Sequence, residues 1–180
     1  SINIELDKVG REGEGGDLIV GGKDQSAEGE GIPDFHVAVL GDEDRPSNLG
    51  TLATTNDDLE EVYISTHEDY VDGESYASLT IRDGFGQDSL DLVNANEFLG
   101  DLTLGSANAI EDLAVLNAAG GGDVTFNGDV DAPGAYSYTT GSGEDTLTVD
   151  LDGDAVDTIG TGMDISTGGA DDTITVDLPW

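Results

Sequence analysis

Short apolar triplets, in which two apolar residues flank one residue that is usually small or polar, recur along the chain from Val62 onward. Such alternation is typical of a β-strand with two side chains buried and one exposed. From Leu79 the triplets follow at a near-constant step of about 11–12 positions, apart from one longer step before Met163. Glycine, aspartate and asparagine separate them, so the pattern predicts short strands joined by tight turns. The triplets are Val62/Ile64, Leu79/Ile81, Leu90/Leu92, Leu102/Leu104, Leu113/Val115, Val124/Phe126, Tyr136/Tyr138, Leu147/Val149, Met163/Ile165 and Ile174/Val176.

Two all-β architectures fit this pattern. The near-constant spacing favours a parallel β-solenoid, or β-roll, in which each coil stacks about 4.8 Å from the last. An antiparallel β-sandwich is the alternative, because sandwich strands also recur every ~8–12 residues. With two strands per coil the solenoid would have coils of roughly 22–24 residues, and with three strands roughly 34.

The N-terminal third follows a different pattern, and we expect it to form a region over residues 1–58 ahead of a repeat solenoid over residues 59–180. Residues 1–6 (SINIEL) alternate like a half-buried strand. Residues 10–31 are rich in glycine and glutamate and predict a loop or linker with one short apolar interruption. Residues 35–40 (FHVAVL) predict one further strand.

The charge of the chain restricts its partners. Forty acidic residues stand against five lysines and arginines among 180 residues, which gives a formal net charge of −35. Binding to nucleic acid or to an anionic membrane through a basic face is therefore excluded, and no apolar run approaches the ~18 residues of a membrane span. Such a charge needs screening by molar salt, as around halophilic proteins, or by bound divalent cations. The chain has no cysteine, so it has neither disulfides nor thiolate metal sites.

Aspartates precede many of the predicted strands at intervals that match a two-strand coil. Asp101, Asp123 and Asp145 are equally spaced, 22 positions apart, so they would stack on one edge. Asp88 and Asp112, 24 positions apart, would stack on the other edge. Two carboxylates one coil apart repel by roughly 3–4 kcal/mol at an effective dielectric constant of ~20. Ca²⁺, which takes about six to eight oxygen ligands, would suit such a ladder. The alternative is that these aspartates are ordinary turn formers with solvated side chains.

Four segments resemble the nonapeptide of the repeats-in-toxin (RTX) family, Gly-Gly-x-Gly-x-Asp-x-apolar-x. They are residues 83–91 (DGFGQDSLD), 140–148 (TGSGEDTLT), 152–160 (DGDAVDTIG) and 167–175 (TGGADDTIT). The first glycine of the nonapeptide is absent from all four segments, and no two segments follow each other in tandem. In this respect the chain resembles the solenoid parts of RTX-type surface-layer proteins and adhesins, which contain only occasional nonapeptides. The resemblance implies Ca²⁺ bound between coils of a parallel β-roll. Its ligands would include Asp88, Asp145, Asp157 and Asp172, beside Asp101, Asp112 and Asp123 from the spacing.

Enzymatic activity is not expected, and the sequence assigns neither catalytic nor cofactor-binding residues. Motifs such as GxSxG and HExxH are absent. His36 lies in an apolar strand, where we expect a packed or edge side chain. His67 lies next to Glu68 and Asp69, a pattern that fits a metal or acid/base cluster but that we expect to be a solvated acidic turn. Solenoid polysaccharide lyases need cationic residues against uronates, and a chain with a net charge of −35 would repel such substrates.

The function expected from these patterns is structural. We expect an extracellular or cell-surface subunit or module of a surface layer, filament or adhesin, stabilised by Ca²⁺ or high salt. Its partners would be further copies of itself, because solenoid ends present open strand edges, and cell-surface polysaccharide. Residues 1–6 would either be donated to a neighbouring subunit or pair within their own chain. The alternative function is a calcium-binding accessory β-roll of a secreted carbohydrate-active enzyme.

Overall fold

The structure, a computed structural model, describes residues 1–10, 15–21, 31–55, 57–87, 90–153, 155 and 162–179. Its strands in the first half of the chain are β1 (Ile2–Asp7), β2 (Leu18–Val20), β3 (Asp34–Leu40), β4 (Ser47–Leu49), β5 (Leu52–Thr54), β6 (Glu61–Thr66), β7 (Leu79–Ile81) and β8 (Leu90–Glu97). Those in the second half are β9 (Leu102–Leu104), β10 (Ile110–Glu111), β11 (Leu113–Ala118), β12 (Val124–Val130), β13 (Tyr136–Thr140), β14 (Thr146–Leu151), β15 (Met163–Ser166) and β16 (Thr173–Asp177).

The strands form two long parallel sheets. Sheet I has the spatial order β1-β3-β6-β8-β11-β13-β15, and sheet II has the order β4-β7-β9-β12-β14-β16 with β10 beside β12. Every strand pairing in the described part of the chain is parallel. The predicted parallel β-solenoid is therefore confirmed, and the antiparallel sandwich is wrong.

The pairing register gives two strands per coil over the second half of the chain. Leu113 lies beside Leu90 in sheet I, 23 positions earlier. In sheet II, Phe126 lies beside Leu104 on one side and Leu147 on the other, 22 and 21 positions away. The last coil is longer, since Thr173 pairs with Thr146 at 27 positions. The two-strand coil, and not the three-strand one, therefore describes this part of the chain.

The core lies between the two sheets. In β14 the side chains of Leu147, Val149 and Leu151 are buried, and those of Thr146 and Asp150 are exposed. This period-two alternation is the reason the apolar triplets predicted strands, because each buried aliphatic side chain contributes about 1.5–3 kcal/mol. Large side chains from opposite sheets interlock in the centre. The rings of Phe126 and Tyr138, for example, lie 4.9 Å apart between centroids.

The outward face of sheet II carries a row of threonines in register. Each threonine pairs with its equivalent on the next strand, one coil further along the axis. Branched side chains stacked across strands stabilise a sheet. The first three members of the row are middle residues of their triplets, whereas Thr146 and Thr173 directly precede theirs. The row consists of Thr80, Thr103, Thr125, Thr146 and Thr173.

The N-terminal region continues the same stack. β1 pairs with β3 of its own chain from Ile2↔Phe35 to Asp7↔Leu40, so the own-chain alternative for the first strand is the one that the structure shows. β3 in turn pairs with β6, and the boundary expected after residue 58 falls inside sheet I. Within the glycine-rich stretch, the short apolar run forms β2 and pairs with β5. Residues 11–14 and 22–30 of that stretch lie outside the described residues.

The coil formed by β15 and β16 differs from the others in its burial. Ile174, Val176 and Leu178 are 46%, 41% and 48% exposed, whereas equivalent positions in β14 are buried. β15 and β16 lie at the outer positions of their sheets within the described part of the chain. This end of the solenoid therefore presents apolar side chains beside open strand edges, the combination to which another strand can add.

Candidate functional site

Asp101 and Asp123 lie at equivalent positions of the turn into sheet II on adjacent coils, whereas the register places Glu144 where the equal spacing predicted Asp145. Oδ1 of Asp101 accepts a hydrogen bond from the backbone N–H of Asp123 at 3.0 Å. Oδ1 of Asp123 accepts one from the N–H of Glu144 at 2.8 Å. Each carboxylate thus bonds to the backbone of the next coil. We call this row, continued by Asp145 and Asp172, the hydrogen-bonded edge.

Asp145 departs from the ladder by one position. The pairing aligns Thr146 with Thr125, so Asp145 stands beside Val124, a buried position, and its side chain is only 1% exposed. Oδ1 accepts the N–H of Val124 at 2.9 Å, and Oδ2 accepts the hydroxyl of Thr140 at 2.5 Å. Since both oxygens are occupied, this buried carboxylate holds two neighbouring segments of chain together.

Asp172 is the last member of this edge, and it accepts a hydrogen bond from the preceding coil, whereas Asp101 and Asp123 accept one from the following coil. Oδ1 of Asp172 accepts the backbone N–H of Asp145 at 3.1 Å. The second oxygens of Asp101, Asp123 and Asp172 make no hydrogen bond within the described residues. Asp101 and Asp123 thus make the contacts of turn-forming carboxylates with exposed side chains, whereas Asp145 is buried.

Glycines allow this edge to form. A Cβ atom on Gly122 would lie 2.1 Å from the carbonyl oxygen of Gly100, and one on Gly143 would lie 2.5 Å from the oxygen of Gly122. Successive turns therefore approach more closely than any side chain allows. Gly100 and Gly122 directly precede Asp101 and Asp123, so the glycine brings the backbone of one coil within reach of the carboxylate of another.

The other end of sheet II carries a second group of carboxylates, which we call the crowded edge: Asp112, Asp129, Asp131, Asp150 and Asp152. Asp129 pairs directly with Asp150, and Asp131 and Asp152 lie two positions beyond them. Of this group, the regular spacing of aspartates predicted only Asp112 as a candidate metal ligand. The repeated Asp-x-Asp at residues 129–131 and 150–152, 21 positions apart, is the sequence signal that was available for the others.

Asp112 is the best satisfied carboxylate of the crowded edge. Its backbone is left-handed, with φ of 43°, and its Oδ1 accepts the N–H groups of Asp131 and Ala132, each at 3.0 Å. The same oxygen accepts the hydroxyl of Tyr136 at 3.1 Å. Burial, followed by the charge of Asp112 and this hydrogen bond, raises the pKa of Tyr136 to about 12. Asp112 thus fastens the turn between β12 and β13.

The remaining carboxylates of this edge repel one another. Partial burial raises the pKa of Asp129 above its ordinary value, and the charges of Asp131 and Asp150 add to the rise. Burial and then the charge of Asp152 raise the pKa of Asp131 in the same direction. Both effects disfavour the ionised form, so protons or cations would stabilise this edge.

Carboxylate oxygens, the ligands that Ca²⁺ prefers, are thus present, but they are distributed along the two edges of sheet II. Within the described residues, no group of three or more aspartate, glutamate or histidine side chains converges on one point as an enclosed metal site would require. The carboxylates of the described crowded edge therefore form an open row and not a closed cage. Asp88 and Asp157, two further candidate ligands, lie outside the described residues.

A groove crosses the outward face of sheet I. Its floor is formed where β3, β6 and β8 bring His36, Tyr63 and Asn94 into register. The rings of His36 and Tyr63 stack at 4.9 Å between centroids with 9° between their planes. The hydroxyl of Tyr63 donates to Oε2 of Glu61 at 2.5 Å, and this bond raises the pKa of the phenol. His36 was expected to be a packed or edge side chain, whereas it is exposed and stacked.

A β-bulge shapes one wall of the groove. Tyr63 pairs with Asn94, but Ser65 pairs with Glu97, so β8 contains one extra residue. Oδ1 of Asn94 accepts the N–H of Asn96 at 3.2 Å, and Oδ1 of Asn96 accepts the N–H of Ala119 at 3.0 Å. The groove encloses 460 Å³ between these side chains. No sequence motif indicates this groove, because its floor residues stand 27 and 31 positions apart.

The acidic turn around His67 agrees with its expected character. Nδ1 of His67 accepts the N–H of Asp69 at 3.3 Å and lies 3.7 Å from the Asp69 carboxylate, whose side chain is 79% exposed. The ring of Tyr70 lies edge-on to the imidazole at 6.4 Å. These are contacts within one solvated turn.

Comparisons of the chain with protein-family models, with curated proteins and with solved structures found no significant match. The fold defines the molecule as an all-β protein whose parallel sheets form a solenoid with acidic edges. Among the described residues, no helix has the length and apolar character needed to cross a membrane.

Proposed function

We propose that this chain is a non-enzymatic structural module at the outside of a cell, which builds a surface layer, filament or adhesin together with further copies of itself. The observation that carries the proposal is the coil of β15 and β16. Three of its apolar side chains are more than 40% exposed on strands whose counterparts one coil earlier are buried. A further parallel coil supplied by a neighbouring solenoid unit would cover them, and each such contact repeats head to tail.

Charge makes this contact conditional. A net charge of −35 keeps copies of the chain apart at low ionic strength, and association is expected only when cations screen the surface. The crowded edge supports Ca²⁺ as one such cation, since its carboxylates repel and take oxygen-binding ions. The RTX-like segments point in the same direction. Free Ca²⁺ at millimolar concentration is a condition of the extracellular space, which supports that location.

Sedimentation velocity tests the proposal at low salt, at molar salt and in millimolar Ca²⁺ with a chelator control. We expect oligomers or fibres under the two screened conditions. Val176→Lys should abolish them, because it places a charge in the proposed contact. Val71→Lys is the matched control, since Val71 is 43% exposed and Val176 41%, but Val71 lies in the turn after β6. A monomeric wild-type chain under all conditions, or equal effects of both variants, would overturn the proposal.

The groove on sheet I favours a second candidate, the accessory β-roll of a secreted carbohydrate-active enzyme. An aromatic ring beside amides and a carboxylate suits a sugar in either case. The two functions differ in their requirements: a structural module associates with copies of itself, whereas an accessory roll stays monomeric and raises the activity of an attached catalytic domain on polysaccharide.

A further inference from the structure

We propose that the groove on the outward face of sheet I is a binding site for a neutral, hexopyranose-containing glycan. The inference rests on the proposed function, because it gives the surface module a partner on the cell surface. The site consists of His36, Tyr63, Ser65, Asn94, Asn96 and Glu97.

The ring of Tyr63 supplies an apolar platform. His36 covers one face of the ring, since the two rings stack with 9° between their planes. The opposite face is directed toward β8, where its partner is Asn94, a side chain too short to cover a phenol ring. The hydrogen bond from the hydroxyl to Glu61 holds the ring in this orientation. A pyranose presents a flat face of C–H groups, which packs on such an aromatic surface.

Polar side chains lie along one side of the Tyr63 ring. The amide oxygens of Asn94 and Asn96 are engaged by backbone N–H groups, and these bonds orient both side chains and leave their NH₂ groups as donors. The carboxylate of Glu97, which is exposed, and the hydroxyl of Ser65 complete the rim. Hydroxyl groups of a sugar both donate and accept, so they match two amide donors beside one carboxylate acceptor.

The groove continues beyond the length of one sugar ring. A second cavity of 580 Å³ adjoins it and shares Ser65 and Glu97 with it. Its other walls include His67, Val71 and Leu99, and it is the more apolar of the two. An elongated cleft with an aromatic floor at one end fits a chain of sugar residues, and a single monosaccharide would fill only part of it.

The electrostatics of the groove decide the class of glycan. Glu97 lines it, and Glu61 holds the hydroxyl of Tyr63. Asp34 lies close enough to raise the pKa of Tyr63, so uronic or sulfated sugars would be repelled. A ring beside carboxylates also suits an organic cation. The two amide donors argue for the sugar, because an ammonium group accepts no hydrogen bond and would leave them without a ligand partner.

NMR titration of the isotopically labelled chain tests the proposal with maltotriose, cellotriose, β-1,4-galactotriose, trigalacturonate and choline as probes. We expect at least one of the neutral trisaccharides to bind with a Kd of about millimolar. The shifts should be confined to β3, β6 and β8. Tyr63→Ala should weaken binding at least roughly tenfold, and Tyr63→Phe, which keeps the ring, by less than about threefold.

Thr125→Ala is the control, since Thr125 is exposed on the outward face of sheet II and its loss should leave the Kd unchanged. If Tyr63→Ala fails to fold, the map of shifts on the wild-type chain and the Tyr63→Phe variant decide the question. Absence of binding by all three neutral probes, binding of choline or trigalacturonate alone, or shifts elsewhere would overturn the proposal. The two proposals can fail independently. Tyr63→Ala should self-associate like the wild-type chain, and Val176→Lys should bind sugar like the wild-type chain.

Discussion

The two edges of sheet II carry carboxylates in comparable density, but most of those carboxylates have different neighbours on the two edges. On the hydrogen-bonded edge, Asp123 and Asp145 accept backbone N–H groups from adjacent coils. On the crowded edge, Asp129 and Asp131 mainly face other carboxylates, and their pKa values are raised. An aspartate ladder is therefore not one kind of structure. Its energy depends on whether the neighbouring coil offers a donor or another charge.

Local backbone chemistry causes the difference. On the hydrogen-bonded edge the aspartates lie in turns next to glycines, and close contact between turns exposes N–H groups to them. On the crowded edge, Asp129 and Asp150 lie within paired strands, where the N–H groups of β12 and β14 already serve the sheet. Within the described residues neither the carboxylate of Asp129 nor that of Asp150 accepts a hydrogen bond from the backbone, and each meets the equivalent carboxylate one coil away. Asp112 of the same edge lies in a turn and does accept two backbone N–H groups.

The strongest way to break the hydrogen-bonded edge is Gly122→Ala. The new Cβ would lie 2.1 Å from the Gly100 oxygen, so the turns must separate, and we expect a loss of about 2–4 kcal/mol in the free energy of unfolding. Gly169→Ala is the control, because a Cβ there meets no atom within 4 Å. Urea denaturation measures both variants. Equal stability of the two would contradict the close packing of these turns.

Asp145→Ala should have the next largest effect, with a loss of about 2–3 kcal/mol in the free energy of unfolding. It leaves the N–H of Val124 and the hydroxyl of Thr140 without their acceptor in a buried place. Asp101→Ala removes one exposed acceptor and should lose less than about 1 kcal/mol. If urea denaturation ranks the exposed site above the buried one, the distinction between Asp145 and the rest of its edge is wrong.

Calcium should distinguish the two edges. At low ionic strength, millimolar Ca²⁺ should raise the melting temperature over that in chelator, with a stabilisation of about 2–3 kcal/mol at a roughly hundredfold excess over Kd. The double variant Asp129→Asn, Asp131→Asn should lose most of this gain. Asp101→Asn with Asp123→Asn should retain it, as should Asp69→Asn. A larger loss for the hydrogen-bonded pair would reverse our assignment of the cation to the crowded edge.

The smallest expected effect is on the pH dependence of stability. The folded pKa values of Asp129 and Asp131 lie above those of the unfolded chain, so the folded state binds more protons between the two values. Stability from this edge is therefore present below the unfolded pKa and is lost as pH rises through the folded pKa. Without added cations, Asp131→Asn should raise the melting temperature at neutral pH by roughly 1–3 °C and flatten this dependence. Melting curves that fall in parallel for variant and wild type would show that the crowding has no effect.

Much of the architecture could be predicted from the order of residues. Period-two triplets at a near-constant step identified the strands, since a half-buried strand demands that alternation wherever it lies. The spacing of Asp101 and Asp123 indicated their common edge, because two strands and two turns form one coil. The same spacing did not predict that Asp145 lies one position away from the place equivalent to Asp123 and is buried. The register of a parallel pair is set by packing over the whole strand, and a slip of one residue exchanges the two faces.

The alternation, the acidic character and the composition of the turns follow from the order of residues alone, because they depend only on neighbours along the chain. Tertiary structure decided which acidic groups meet a donor and which meet another acid, since that depends on contacts between residues one coil apart. It also placed Tyr63 beside His36 and Asn94, which are 27 and 31 positions away along the chain. Coils of unequal length hide such a row from any search for a fixed period, and only the hydrogen-bonded register between parallel strands brings its members together.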